Sequence, residues 1–113
     1  MSGHCIFCKI IAKEIPSHIV YEDDRVLAFT DIHPAAPTHV LVIPKEHVES
    51  VEEVPAGSPI VSLLAERAVQ IAKQLNLREG FRLVINNGDN GGQTVYHLHL
   101  HLLGGRFMTW PPG

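Results

Sequence analysis

The sequence predicts an α+β fold: an antiparallel five-stranded sheet with one long helix and a short N-terminal helix. Three observations lead there. Five short segments read as strands, only one segment carries an apolar stripe at helical spacing, and short turns fold the strands into hairpins around that helix in place of βαβ units. With 113 residues, 45% of them hydrophobic, the chain suits a single domain over 1–113 with a modest core.

Residues 4 to 13 form a short amphipathic helix or turn around Cys5-Ile6-Phe7-Cys8-Lys9-Ile10-Ile11, ended by Pro16 and Ser17. Ile19-Val20-Tyr21-Glu22 reads as a strand, Asp23-Asp24 as a tight turn and residues 26–31 as the hairpin partner. A proline-bounded loop, His33-Pro34-Ala35-Ala36-Pro37, leads into the β-branched His39-Val40-Leu41-Val42-Ile43, closed by Pro44. The long helix starts at Ser58 as N-cap with Pro59 at the first helical position. Its apolar stripe runs through Val61, Leu64, Ala65, Ala68, Ala72 and Leu75, and Asn76 and Gly80 bracket its exit. Residues 81–86 form the next strand, residues 87–92 a loop rich in residues that tolerate positive φ, and His97 to Leu103 the last strand.

Charge narrows the partners. The net charge is −3, and Lys9, Lys13, Arg25, Lys45, Arg67, Lys73, Arg78, Arg82 and Arg106 are scattered, not gathered on the positive face a polynucleotide binder needs. The longest apolar neighbourhood, Ile60 to Ala65, is interrupted by Ser62 and is too short to span a bilayer. The beginning Met1-Ser2-Gly3-His4 lacks the regions of a secretory signal, and position 2 is not glycine, so the expected setting is cytoplasmic and reducing. There a disulfide is the poorer explanation for Cys5 and Cys8.

Histidine stands out, with eight residues. In a strand, residues two apart share a face, so His97, His99 and His101 line one side while Leu98, Leu100 and Leu102 pack inward. As a helix the three would share no face. An ordinary exposed strand face would use Thr, Lys or Ser. Gly91-Gly92-Gln93-Thr94 comes just before, and its backbone N–H groups with the Thr94 hydroxyl can turn toward an anion beside the imidazoles. Three imidazoles and this loop together describe a phosphate pocket with a nucleophile in it.

His-φ-His-φ-His-φ-φ resembles the signature of the histidine triad (HIT) superfamily, and the wider similarity is to its Hint branch of purine nucleoside phosphoramidases. The resemblance runs through Cys5 to Ile11, Ala36-Pro37-Thr38-His39, Val42-Ile43-Pro44-Lys45, Gly91-Gly92-Gln93, Val95-Tyr96-His97, Gly104-Gly105-Arg106 and Trp110-Pro111-Pro112-Gly113, nearly the whole chain. It implies His99 as nucleophile on the α-phosphorus of a purine nucleoside phosphoramidate, giving a covalent nucleotidyl-histidine that water releases. It implies His101 as donor to the phosphoryl oxygens with Gly92, Gln93 and Thr94, Asn86 beside them, and His39 and His97 as the relay that orients His99. Asp31 resembles the ribose-binding carboxylate, and Phe7, Ile10, Phe29 and Ile32 the apolar purine slot. His33 stands where other members often carry serine. With an unperturbed pKa of about 6.5 for the nucleophile, activity should fall below about pH 6.

Cys5-x-x-Cys8 is half of a zinc site, or two reduced thiols. Some superfamily members complete such a site at the positions of His47 and His97, which leaves His97 as relay residue, zinc ligand or both. The implied zinc is structural, and catalysis needs no cofactor. The resemblance also implies a homodimer that joins two sheets, with the C-terminal tail near the partner's site and Trp110 setting leaving-group preference. Three functions follow. The first is hydrolysis of P–N bonds, or of acyl-nucleotide mixed anhydrides, on AMP- or GMP-type nucleotides. The others are a nucleotide- and zinc-binding regulatory partner with slow catalysis, and a dinucleoside polyphosphate hydrolase.

Overall fold

The structure is a computed structural model in which residues 4–113 are described. Residues 1–3, read above for targeting signals, lie outside them. The element order is α1 (Ile6–Ile11), β1 (Ile19–Glu22), β2 (Val26–Thr30), β3 (Thr38–Pro44), a 3-10 turn at Val51–Glu53, α2 (Ile60–Gln74), β4 (Phe81–Val84) and β5 (Leu100–Gly104). The five strands form one antiparallel sheet in the order β1-β2-β3-β5-β4. Each expected element is present. The last strand is shorter than expected: pairing begins at Leu100, and residues 97–99 run up to it without a strand partner. No helix among the described residues is long and apolar enough to cross a membrane.

The sheet is buried on both faces, and the alternation along each strand sorts side chains between them. One face carries Val26, Ala28, Val40, Val42, Leu98, Leu100 and Leu102, packed against Ile60, Leu64, Ala68, Ile71 and Ala72 of α2. The other carries Leu27, Phe29, Leu41 and Ile43 under Phe7 and Ile10 of α1. Histidines alternating with leucines therefore meet α1's side of the sheet while the leucines meet α2. Helix α2 starts one residue later than the sequence suggests, with Ser58 Oγ accepting from the Ile60 N–H at 3.3 Å. Its exit is as expected, through Asn76 at φ 60° and Gly80 at φ 119°.

One turn ties the hairpin to the helix. Asp23 Oδ1 accepts from the N–H groups of Arg25 and Val26, both at 2.8 Å, while Oδ2 accepts from Tyr21 Oη at 2.6 Å and Arg67 Nε at 2.8 Å. Burial pushes this carboxyl upward, but the four donors outweigh it and hold it well below the usual carboxylate range. Its stabilising effect is therefore intact above its unfolded pKa of about 3.9 and is lost in stronger acid. Asp23→Ala should lower stability by about 1–3 kcal/mol, measured by thermal unfolding at neutral pH. An unchanged midpoint would show the turn to be decorative.

Candidate functional site

The site is built on the α1 face, where β3 and β5 are neighbours. Leu41 pairs with His101 and His39 with Leu103, so His39 and His101 lie diagonally across the two strands on one face. His97 is fully buried and His99 and His39 are nearly so. The edge of the Phe7 ring packs against His99, with centroids 5.1 Å apart.

Backbone groups decide which nitrogen of each ring holds its proton. A carbonyl can only accept, so His99 Nδ1 donates to the His97 carbonyl at 2.7 Å, and Nε2 of His99 keeps a bare lone pair. Likewise His97 Nε2 donates to the Pro44 carbonyl at 2.8 Å, which leaves His97 Nδ1 bare. An N–H can only donate, so the Ala35 amide, 3.0 Å from His39 Nδ1, makes that nitrogen an acceptor. His39 Nε2 then carries the proton and donates to His101 Nδ1 at 2.9 Å. His101 Nε2 is left as an N–H, buried and without a hydrogen-bond partner among the described residues. Of the rings that line the cavity, His99 thus offers a lone pair and His101 a free donor beside it.

Both rings open onto a cavity of about 310 Å³ whose walls include Phe7, Ile10, Phe29, Asp31, Ile32 and Thr94. Phe7 and Phe29 meet edge to face, 5.4 Å between centroids. Ile32 is 85% exposed at the mouth, a large apolar side chain left open by the described residues. The arrangement can hold a flat apolar group against the phenyl rings, hydroxyls on Asp31 and an electrophile between His99 and His101.

Behind the row lies a second cluster. Cys5 Sγ is 3.4 Å and Cys8 Sγ 3.6 Å from His97 Nδ1, Cys8 Sγ is 3.4 Å from His47 Nδ1, and the two Nδ1 atoms are 3.2 Å apart. A tetrahedral zinc, with bonds of about 2.3 Å to sulfur and about 2.0–2.1 Å to nitrogen, sets S and N donors about 3.6 Å apart and two N donors about 3.3 Å apart. The four residues fit that ion, and the Pro44 carbonyl supplies the partner that presents the bare nitrogen of His97. Burial, with the neighbouring Cys5 adding to it, pushes the Cys8 thiol to about 11, so an arriving metal would have to displace its proton. Asp31, His39 and His101 also gather three ligand atoms. The Ala35 amide keeps His39 Nε2 protonated, so that group is a hydrogen-bond relay and not a metal site.

Residues 12–108 match the family model of the HIT domain. The chain belongs to the HIT domain family. It is 54% identical to a 14 kDa zinc-binding protein of Zea mays over 96% of this chain and 87% of that one. It is 53% identical to the adenylylsulfatase HINT1 of Arabidopsis thaliana over 96% of this chain and 76% of that one. Among solved structures, a HIT family hydrolase from Legionella pneumophila superposes with a TM-score of 0.94 at 51% identity, covering 97% of this chain and 100% of that one.

Most residues expected from sequence meet in this HIT domain, with four differences. The His39 hydrogen bond goes to His101, with Asp31 Oδ2 3.4 Å from the same nitrogen, and not to His99; the hydrogen bond that orients His99 comes from the His97 carbonyl and not from its ring. The Gly92 and Gln93 amides are already used, donating to Asp89 and Gly88 carbonyls, because the loop must close its own turns. The Gln93 side chain is committed as well, to Glu49, Val95 and Gly88, so Gln93 braces the loop and Thr94 alone of that trio lines the cavity. Asn86 and Gly92 stand next to each other outside the cavity walls. The sequence reading missed Ile6, Ile15, Pro16, Ser17, Thr30, Leu41 and Val95 as walls, and left His33, which lines the cavity, without a role. Leu41 could have been found, since it shares the His39 face; Ile15 to Ser17 carry no periodic signal.

All four rings are driven toward neutrality. Burial pushes His101 down to about 4, with His99 and His39 adding to it and Asp31 opposing. Burial also brings His97 to about 4 against the Pro44 hydrogen bond, and lowers His99 and His39. For His101 the unfolded chain binds a proton more tightly between about pH 6.5 and about 4. Stability is therefore full above about pH 6.5 and falls as pH drops toward about 4, by at most about 3 kcal/mol from this residue. Thermal unfolding across that range should show a shallower acid loss in His101→Gln than in the parent chain.

Proposed function

We propose that this protein is a hydrolase of purine nucleoside 5′-phosphoramidates and acyl-nucleotide mixed anhydrides. The observation that carries the proposal is the pairing of a bare Nε2 on His99 with an unpartnered Nε2–H on His101 at one cavity. His99 Nε2 attacks the α-phosphorus, a P–Nε2 bond forms, the P–N bond to the leaving amine breaks, and the amine departs with a proton. Water then cleaves the nucleotidyl-histidine and restores the free imidazole. His101 donates to the phosphoryl oxygen as charge builds there, assisted by Thr94 at the cavity wall. Asp31 accepts from the ribose hydroxyls, and Phe7, Ile10, Phe29 and Ile32 hold the purine. An adenylylsulfatase among the relatives supports an adenylyl group as the part recognised.

His99→Ala should reduce turnover of adenosine 5′-phosphoramidate by about 10³-fold or more with the fold intact. A surviving rate removes His99 as nucleophile, and faster turnover of a dinucleoside polyphosphate by the parent chain would favour the other hydrolase class. The acid limb of the rate should lie at lower pH than an unperturbed imidazole would give, because burial lowers the His99 pKa and keeps the ring neutral into stronger acid.

Zinc belongs to the same proposal. Cys5, Cys8, His47 and His97 would hold it, and it would supply a structural clamp between α1 and the approach to β5, taking no part in catalysis. The relative named as zinc-binding supports the choice of metal. Protein purified without added metal should carry about one zinc per chain, and Cys5→Ser far less; equal zinc in both would move the site elsewhere. We also place the protein in the cytoplasm as a homodimer. β4 is an edge strand with Phe81 and Leu83 partly exposed, and Phe107 and Trp110 beyond β5 are 86% and 80% exposed. A second copy would cover that apolar edge and bring Trp110 to the leaving-group side.

A further inference from the structure

A path of hydrogen bonds reaches the imidazole row from outside the cavity. Arg106, exposed on the segment after β5, donates Nη2 to the Ala35 carbonyl and Nη1 to the Phe107 carbonyl, both at 3.0 Å. Ala35 is the residue whose N–H makes His39 Nδ1 an acceptor. The loop from His33 to Pro37 contains no helix or strand, and the Arg106 side chain bonds to it from outside, at the Ala35 carbonyl. Gly105 brings the two segments together: it sits at φ 90°, and a Cβ there would lie 2.8 Å from Pro37 Cβ. Only glycine lets this backbone lie flat on the proline and deliver Arg106 to the loop.

We propose that Arg106 is a positioning residue for the reaction, acting through Ala35 to hold His39, and through His39 to keep the proton of His101 on Nε2. Without it, the Ala35 carbonyl bonds to water and the loop is free to shift. His39 Nδ1 then loses its fixed donor, both rings sample the other tautomer, and His101 spends part of its time with no N–H toward the substrate. A lysine is a poor replacement, because one ammonium lacks the planar fork that spans two carbonyls. The idea rests on the reading of His101 as donor to the phosphoryl group.

Imidazole ¹⁵N spectra test it directly. Arg106→Ala should move the His39 and His101 nitrogens toward tautomer-averaged positions, whereas Arg78→Ala, which removes the same charge from the cavity Arg106 also lines, should not. In the same variant kcat for adenosine 5′-phosphoramidate should fall about 10-fold or more, with KM within about twofold, and Arg106→Lys should recover only part. If Arg106→Ala proves too unstable to handle, Arg106→Met, which keeps the apolar stem and removes the donors, carries the same comparison. Unchanged imidazole signals, or an unchanged kcat alongside an inactive His99→Ala, would overturn the proposal. Shifted signals in a protein whose parent chain never cleaves the phosphoramidate would uphold the positioning and sink only the assigned substrate.

Discussion

A neutral imidazole has one N–H and one lone pair, so fixing one nitrogen fixes the other. The site depends on that constraint. Three backbone groups, the carbonyls of His97 and Pro44 and the amide of Ala35, each take one nitrogen of a histidine and thereby dictate what its opposite nitrogen presents. Burial enforces the condition, since it pushes every ring of the row below its ordinary value and keeps it neutral. The result is a donor and a lone pair side by side, with no carboxylate needed against His99 itself.

The same constraint links the two halves of the site. His97 uses its ring toward Cys5, Cys8 and His47 and its carbonyl toward His99. It can serve both because the two functions leave from different atoms. Of the readings the sequence leaves open for His97, relay residue, zinc ligand or both, these atoms are compatible with both together. Helix α1 is joined to this arrangement twice, through Cys8 and through Phe7, whose ring edges meet both His97 and His99. A six-residue helix has little stability of its own, so its place depends on what it packs against.

The sheet divides labour by alternation. Leucines of the triad segment feed the core under α2, and the histidines face α1. That separation lets a buried polar row exist in a small protein, because the apolar burial that stabilises the fold is drawn largely from the opposite face. The glycine-rich loop before the triad illustrates the cost. Its amides close its own turns, and Gln93 is committed to bracing, so of Gly92, Gln93 and Thr94 only Thr94 lines the cavity.

The five strands, both helices and the shared face of His97, His99 and His101 were legible in the chain, because period-two and helical spacing are local properties of the backbone. So were the likeness to the HIT family and the pairing of Cys5 with Cys8, which lie within one helical turn. The identity of each histidine's partner was not. His39 and His101 are 62 positions apart, and only the register that sets Leu41 opposite His101 makes His39 its neighbour and not that of His99. The roles of Ala35 and Arg106 were equally hidden, since neither residue type signals chemistry in the sequence. They are brought together by a flat contact between Gly105 and Pro37. Sequence alone determined which residues could hold or give a proton; the tertiary structure decided where each proton sits, because that depends on backbone groups from distant strands and loops.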